Sequence, residues 1–181
     1  ARSHAMGAEL RRNPQLEQFT ALTPGSSHRA CDDAAGGIRG ECGQLGDIRR
    51  QMGVAMDQMG LPMGSRVAMV SHNSARLLTS FFGVSGNGRV FVPINFRLSH
   101  DEVAYIVEHC QADVLLLDPE LVDTLGHLPV RHRFVLGAES DDAMHRYGVE
   151  AKPWALDEDA TATVNYTSGT TARPKGVQLT H

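Results

Sequence analysis

Tyr166 to Leu179 reads Tyr-Thr-Ser-Gly-Thr-Thr-Ala-Arg-Pro-Lys-Gly-Val-Gln-Leu, and it holds the densest set of chemically useful side chains in the sequence. Thr167, Ser168, Thr170 and Thr171 offer hydroxyls, Gly169 and Gly176 leave backbone N–H groups uncovered, and Arg173 and Lys175 bring positive charge. Glycine permits positive φ and close backbone approach. Successive N–H groups can form an anion-holding nest, and a lysine adds a mobile point charge. The chemistry this combination suits is gripping the phosphates of a nucleotide.

Two other readings of the stretch fail. A Ser/Thr/Gly linker explains neither Pro174-Lys175-Gly176 nor the strand-like residues on both sides. A Walker-type loop needs Gly-Lys-Ser/Thr opening a helix, whereas here Lys175 precedes Gly176 and Val177-Gln178-Leu179-Thr180 favours extended chain. Thr167-Ser168-Gly169-Thr170-Thr171-x-x-Pro174-Lys175-Gly176 resembles the phosphate-loop signature of the AMP-forming, adenylate-forming superfamily of acyl-CoA synthetases, luciferases and peptide-synthetase adenylation domains. Ala172 stands where glycine is commonest in that signature.

The resemblance continues upstream to about residue 38. Asp57-Gln58-Met59-Gly60-Leu61 through Arg66-Val67-Ala68 is similar to the family's helix, turn and first strand, with Ser65 in place of the usual Asp. Asn73-Ser74 through Phe81-Phe82 resembles its next helix. Val92-Pro93-Ile94-Asn95-Phe96-Arg97-Leu98 followed by Glu102 to Ile106 resembles the fatty-acyl-CoA synthetase branch. Before residue 38 the likeness fades, and Gly36-Gly37-Ile38-Arg39-Gly40 lacks the short hairpin that family members carry there.

The resemblance implies ATP with Mg2+ as the nucleotide, a carboxylic (fatty) acid as acyl donor and CoA as acceptor. A carboxylate attacks the α-phosphate, pyrophosphate leaves, and the CoA thiol then displaces AMP. It assigns Thr167, Ser168, Gly169, Thr170, Thr171 and Lys175 to the phosphates, with Pro174 stiffening the turn. The family's adenine pocket, metal-holding Glu, ribose-binding Asp and mobile-domain lysine come later than His181. The expectation is therefore a fragment, inactive alone, with no catalytic residue or metal ligand of its own. The alternative is a truncated remnant that binds nucleotide weakly or engages another protein.

The elements that must position this loop follow from periodicity. Leu45, Ile48, Met52, Ala55, Met56 and Met59 recur at helical spacing, with Gly60 and Pro62 as stop signals. Strands are expected at Arg66 to Val70, Val90 to Pro93, Val114 to Leu117 and Arg133 to Leu136, and on both sides of the loop at Ala162 to Tyr166 and Val177 to Leu179. Helices are expected from Ser74 to Phe82, with Leu77, Leu78 and Phe81 inward, after the capping-box pair Ser99 and Glu102, and near Pro119 to Leu125. Strands alternating with helices imply an α/β fold: a largely parallel sheet flanked by helices, part of a layered N-terminal domain and incomplete. Residues 1–37 form a separate, poorly defined segment, with a short helix at Glu9 to Asn13 and loop from Thr23 to Gly37, and 38–181 the partial domain. Glu139 to Asp142 and Asp157-Glu158-Asp159 are expected as solvated connections.

Composition limits the rest. Seventeen Lys and Arg against 21 Asp and Glu, with no basic run, argue against nucleic acid as partner. Three cysteines, Cys31, Cys42 and Cys110, with no Cys-x-x-Cys pair, fit a reducing cytoplasm, with Cys110 in the core. No segment reaches the ~20 apolar residues of a membrane span, which leaves peripheral membrane contact open. The nine histidines are scattered, only His127 and His132 are close in sequence, and all are expected at the surface. Arg97 is expected in a structural ion pair, and Trp154 packs beside Pro153.

Overall fold

The computed structural model describes residues 29–32, 39–146, 151–155, 157–167 and 173–181. Strand β1 (Arg29–Asp32) pairs antiparallel with β2 (Arg39–Glu41), ahead of helix α1 (Cys42–Gln58). There follow β3 (Arg66–Ser71), α2 (Ala75–Ser85), β4 (Val90–Asn95), α3 (His100–His109) and β5 (Val114–Leu117). A 3-10 turn at Pro119–Leu121 leads into α4 (Val122–Leu125), then β6 (His132–Val135), α5 (Ala138–Met144), β7 (Thr161–Thr167) and β8 (Lys175–Thr180).

The six-stranded sheet runs β6-β5-β3-β4-β7-β8, parallel except for β8, which is antiparallel to β7. Right-handed crossovers dictate what covers each face. The chain moves one way across the sheet from β3 to β4 and from β6 to β7, so α2 and α5 belong on one face. It moves the other way from β4 to β5 and β5 to β6, so α3 and α4 belong on the opposite face. The packing obeys this. Met52, Met56, Val84 and Met144 meet Val67, Met69, Phe91 and Leu116 on one side, while Val103, Ile106, Val107 and Leu125 meet Ala68, Val70, Val92 and Leu117 on the other. β5 lies between two layers of helix, and all four of its residues are buried, as its unbroken apolar run requires.

Most of the expected elements form. Ser99 and Glu102 close a complete capping box at the start of α3, and Gly60 takes φ +69° after α1. Cys110 is buried, and desolvation pushes its thiol up to about 11, as fits a core residue.

Several expectations are corrected. Thr23 to Gly37 is not all loop and the N-terminal pairing is not missing, because β1 and β2 form an antiparallel pair before α1. Pairing of this kind is made by backbone groups, which a composition lacking large apolar residues does not report. Glu139 to Asp142 is not a solvated connection but lies within α5, where Ser140 and Asp141 are buried. There Asp141 accepts hydrogen bonds from Arg76 of α2 at 3.2 and 2.9 Å, and that charge partner is what permits burial.

On α2 the buried positions are Ala75, Ser80, Gly83, Val84 and Ser85, whereas Leu77 and Leu78 are half-buried and Phe81 is exposed. The helix lies close to α1, since a Cβ on Gly83 would collide with Met52, and small residues therefore take the inner face. Among the described residues Arg97 forms no ion pair; its guanidinium lies over the Phe96 ring at 5.3 Å. His100 and His127, both exposed as expected, meet although 27 residues separate them in sequence.

The tightest polar join is at Arg89, which is 2% exposed. It donates to Asp57 Oδ1 at 2.7 Å, to the Leu61 carbonyl at 2.6 Å and to the Asn87 carbonyl at 2.8 Å. Asp57 also accepts the Lys152 amide at 2.7 Å. Burial opposes ionisation of Asp57, yet the Lys152 amide and the Arg89 guanidinium outweigh it and hold the carboxyl below its ordinary value. A depressed folded value means that this stabilisation is present above the unfolded value of about 3.9 and is lost as pH falls through the folded one. Asp57→Ala is expected to cost about 3–5 kcal/mol by leaving Arg89 buried and unpaired. Urea denaturation at neutral pH measures that loss, and the difference from the unsubstituted chain should shrink below about pH 4.

Candidate functional site

Thr167 and Lys175, which flank the expected phosphate loop, lie at the carboxyl edge of the parallel strands. Phe91 of β4 is in register with Thr163 of β7, so Asn95 and Thr167, each four residues further on, reach the same edge. Adjacent strands β3 and β4 send their outgoing connections to opposite faces, through α2 and α3. In open α/β sheets this topological switch is where ligands bind. Thr167 ends β7 and Lys175 begins β8, directly opposite each other across the antiparallel pair, and both are exposed. Ser168, Gly169, Thr170, Thr171 and Ala172 lie outside the described residues.

Helix α3 holds both feet of the loop. On the incoming strand, the Tyr166 hydroxyl lies 2.7 Å from His109 Nδ1. Burial pushes the Tyr166 phenol up to about 12, so it stays protonated and can donate. The His109 ring lies 5.3 Å from the Tyr105 ring, and the guanidinium of Arg173, just before the outgoing strand, lies 5.3 Å over the same Tyr105 ring. The series Tyr166, His109, Tyr105, Arg173 thus ties the residues on both sides of the loop to one helix. Of these four, Tyr166 and Arg173 belong to the stretch legible in sequence; their contacts with His109 and Tyr105 of α3 span 57 residues or more.

The carboxyl edge carries further side chains that spacing does not bring together. His72, just after β3, packs its ring 3.8 Å from Phe96, just after β4, and its Nε2 lies 3.7 Å from Glu120 Oε2, beyond β5. An open groove of about 480 Å³ between α3 and the hairpin is lined by Asp101, Glu102, Glu108, Tyr105, Arg173 and Pro174. Three carboxylates against one guanidinium make that groove a poor phosphate holder. The cavity of about 40 Å³ beside Arg76, Asp141 and Met144 is lined by α1, α2, α5 and Leu116 of β5 on the opposite face and includes no residue of the hairpin. Among the described residues no group of three or more His, Cys, Asp and Glu side chains could hold a metal ion.

Helices cover both faces of the mostly parallel sheet, which ends in the antiparallel pair of β7 and β8. The chain belongs to the AMP-binding enzyme family, whose model matches residues 20–181. It is 38% identical over 142 residues to a long-chain-fatty-acid–CoA ligase of Thermus thermophilus, covering 74% of this chain and 26% of that one. With a medium-chain-fatty-acid–CoA ligase of Ectopseudomonas oleovorans it shares 30% over 185 residues, 92% of this chain and 34% of that one. Among solved structures it resembles the N-terminal domain of FACL13 from Mycobacterium tuberculosis, with TM-score 0.76 at 23% identity over 97% of this chain and 44% of that one. It likewise resembles the anthranilate CoA ligase AuaEII in complex with anthranoyl-AMP, with TM-score 0.73 at 26% identity over 96% of this chain and 33% of that one. The chain spans about a quarter to a third of the length of these curated relatives.

If α3 holds the hairpin, Tyr105→Ala should speed hydrogen exchange at the β8 amides from Gly176 to Thr180 while leaving β3 and β5 protected. Tyr166→Phe should cost about 0.5–1.5 kcal/mol of stability, the worth of one hydrogen bond, in a urea titration. Unchanged β8 exchange in Tyr105→Ala would mean that the helix does not hold the hairpin.

Proposed function

We propose that these residues form the phosphate-holding part of an ATP-dependent acyl-CoA ligase. In the first half-reaction a carboxylate oxygen attacks the α-phosphorus of ATP, the bond to the β-phosphate oxygen breaks, and pyrophosphate leaves an acyl-adenylate. In the second the CoA thiol attacks the acyl carbon and AMP departs. The observation that carries this reading is the position of the hairpin: Thr167 and Lys175 face each other at the carboxyl edge of the parallel sheet, at both ends of the residues richest in anion donors.

The roles follow from charge. Pyrophosphate gains negative charge as it departs, so donors set around the β- and γ-phosphates stabilise the transition state more than the ground state. In this reading the hydroxyls of Thr167, Ser168, Thr170 and Thr171 and the Gly169 N–H are those donors, and Lys175 adds a cation. Arg173, held over Tyr105, keeps the outgoing strand in place and adds to the positive potential. ATP enters with Mg2+, which supplies further charge neutralisation when bound; no described residue is assigned to it. The adenine pocket, the acyl pocket and the CoA site belong to the remaining length over which the relatives extend, and adenylation is not expected from these residues alone. The family relationship favours a fatty acid as the carboxylate. No described helix is long and apolar enough to cross a membrane, and we place the reaction in the cytoplasm, with membrane contact at most peripheral.

The direct test is binding of pyrophosphate and ATP to this chain, followed by 31P NMR. A hydrogen bond to a charged group contributes about 1.5–3 kcal/mol, so Lys175→Ala should weaken binding by about 10- to 150-fold. In a complete enzyme bearing these residues, Lys175→Ala and Thr170→Ala should slow ATP–pyrophosphate exchange. Unaltered affinity in the first experiment and unaltered exchange in the second would refute the assignment.

A further inference from the structure

We propose that His100 and His127 form a two-histidine site for a divalent transition-metal ion of the Zn2+ or Cu2+ class, separate from the nucleotide chemistry. His100 opens α3 and His127 lies in the turn after α4, 27 residues later, yet their Nε2 atoms stand 3.2 Å apart. The ring planes are within 17° of parallel and the centroids, at 5.1 Å, lie farther apart than the nitrogens. The rings therefore meet nitrogen to nitrogen rather than face to face. Two metal–imidazole bonds of ~2.0–2.1 Å spanning that gap subtend about 100–106°, close to the tetrahedral angle. Both side chains are exposed, so small rotations suffice to turn the two lone pairs onto one ion.

A second observation orients the pair. His100 Nδ1 lies 3.2 Å from Asp101 Oδ1, the carboxylate–imidazole arrangement that fixes a ligand's tautomer and ring orientation. With Nδ1–H donating to Asp101, His100 Nε2 is left as the acceptor, and His127 Nε2–H donates to it. When the ion enters, the His127 proton moves from Nε2 to Nδ1 through solvent, so both rings stay neutral and both Nε2 atoms become ligands. Imidazole suits Zn2+ and Cu2+ and not Mg2+ or Ca2+. No third described His, Cys, Asp or Glu completes the set, and the remaining coordination positions go to water or an external ligand. The ion would tie the first turn of α3 to the turn preceding β6. Since α3 also bears Tyr105 and His109, the tie would steady the helix that holds the hairpin.

The test uses the whole chain after EDTA treatment. Zn2+ titrated calorimetrically should bind, and His100→Gln and His127→Gln should each weaken its strongest site at least about tenfold, with Asp101→Asn causing a smaller loss. Cu2+ bound to the unsubstituted chain should show two imidazole nitrogens by electron paramagnetic resonance, and neither variant should show both. Thermal melts in EDTA check that the variants fold as the unsubstituted chain does, and added Zn2+ should raise the melting temperature of the unsubstituted chain more than that of either histidine variant. Zn2+ affinity retained in both variants, no binding tighter than millimolar in the unsubstituted chain, or a Cu2+ spectrum with one imidazole would overturn the site.

Discussion

Arg89 is a guanidinium almost wholly withdrawn from water, and much of the molecule is arranged around that cost. One carboxylate, Asp57 at the end of α1, supplies the counter-charge, and two carbonyls, Leu61 and Asn87, take further N–H groups. Asp57 in turn accepts the Lys152 amide. The last turn of α1, the approach to β3, the turn before β4 and the segment near Lys152 are thereby fixed to one ion pair. The turn itself depends on Gly88, whose φ of +71° suits glycine and whose added Cβ would strike Trp154 and Met63. Removing either charge would strand the other where water cannot reach it, which is why the pair acts as a constraint on shape more than as a source of net stability.

With that corner set, handedness decides the rest of the architecture. Each parallel crossover is right-handed, so its direction of travel across the sheet determines its face. α3 is thereby placed on the face opposite α1 and α2, against β4, β5 and the hairpin strand β7. The consequence for function is indirect but physical. The residues best suited to hold phosphate lie between two antiparallel strands, and a short edge hairpin has little core of its own: every residue of β8 is exposed. Its order comes from pairing with β7 and from Tyr166 and Arg173 reaching back to α3. A hairpin supported at its feet can present its donors at one place while keeping its side chains free for an anion.

Periodicity and spacing were sufficient wherever an element's identity depends on its own residues. The β5 run, the Ser99–Glu102 box and the Gly60 stop all form as read, because local propensity and burial agree there. The order Pro174-Lys175-Gly176 excluded a Walker loop for the same reason, since it sets local backbone. The readings that failed had causes remote in sequence. Glu139 to Asp142 looked like a solvated acidic stretch until Arg76 of α2 supplied the charge that buries Asp141. Phe81 looked inward-facing until the close approach of α1 to α2 gave that face to Gly83 and Val84.

By itself, then, the sequence determined the α/β class, most helix and strand positions and the family to which the phosphate-loop residues point, since these rest on contacts between near neighbours. Tertiary structure alone decided which strands sit side by side, that Thr167 and Lys175 face each other at the carboxyl edge, that Tyr105 and His109 stand under the hairpin, and that His100 meets His127. Those pairings depend on loop closure over tens of residues and on crossover handedness, and neither leaves a periodic trace along the chain.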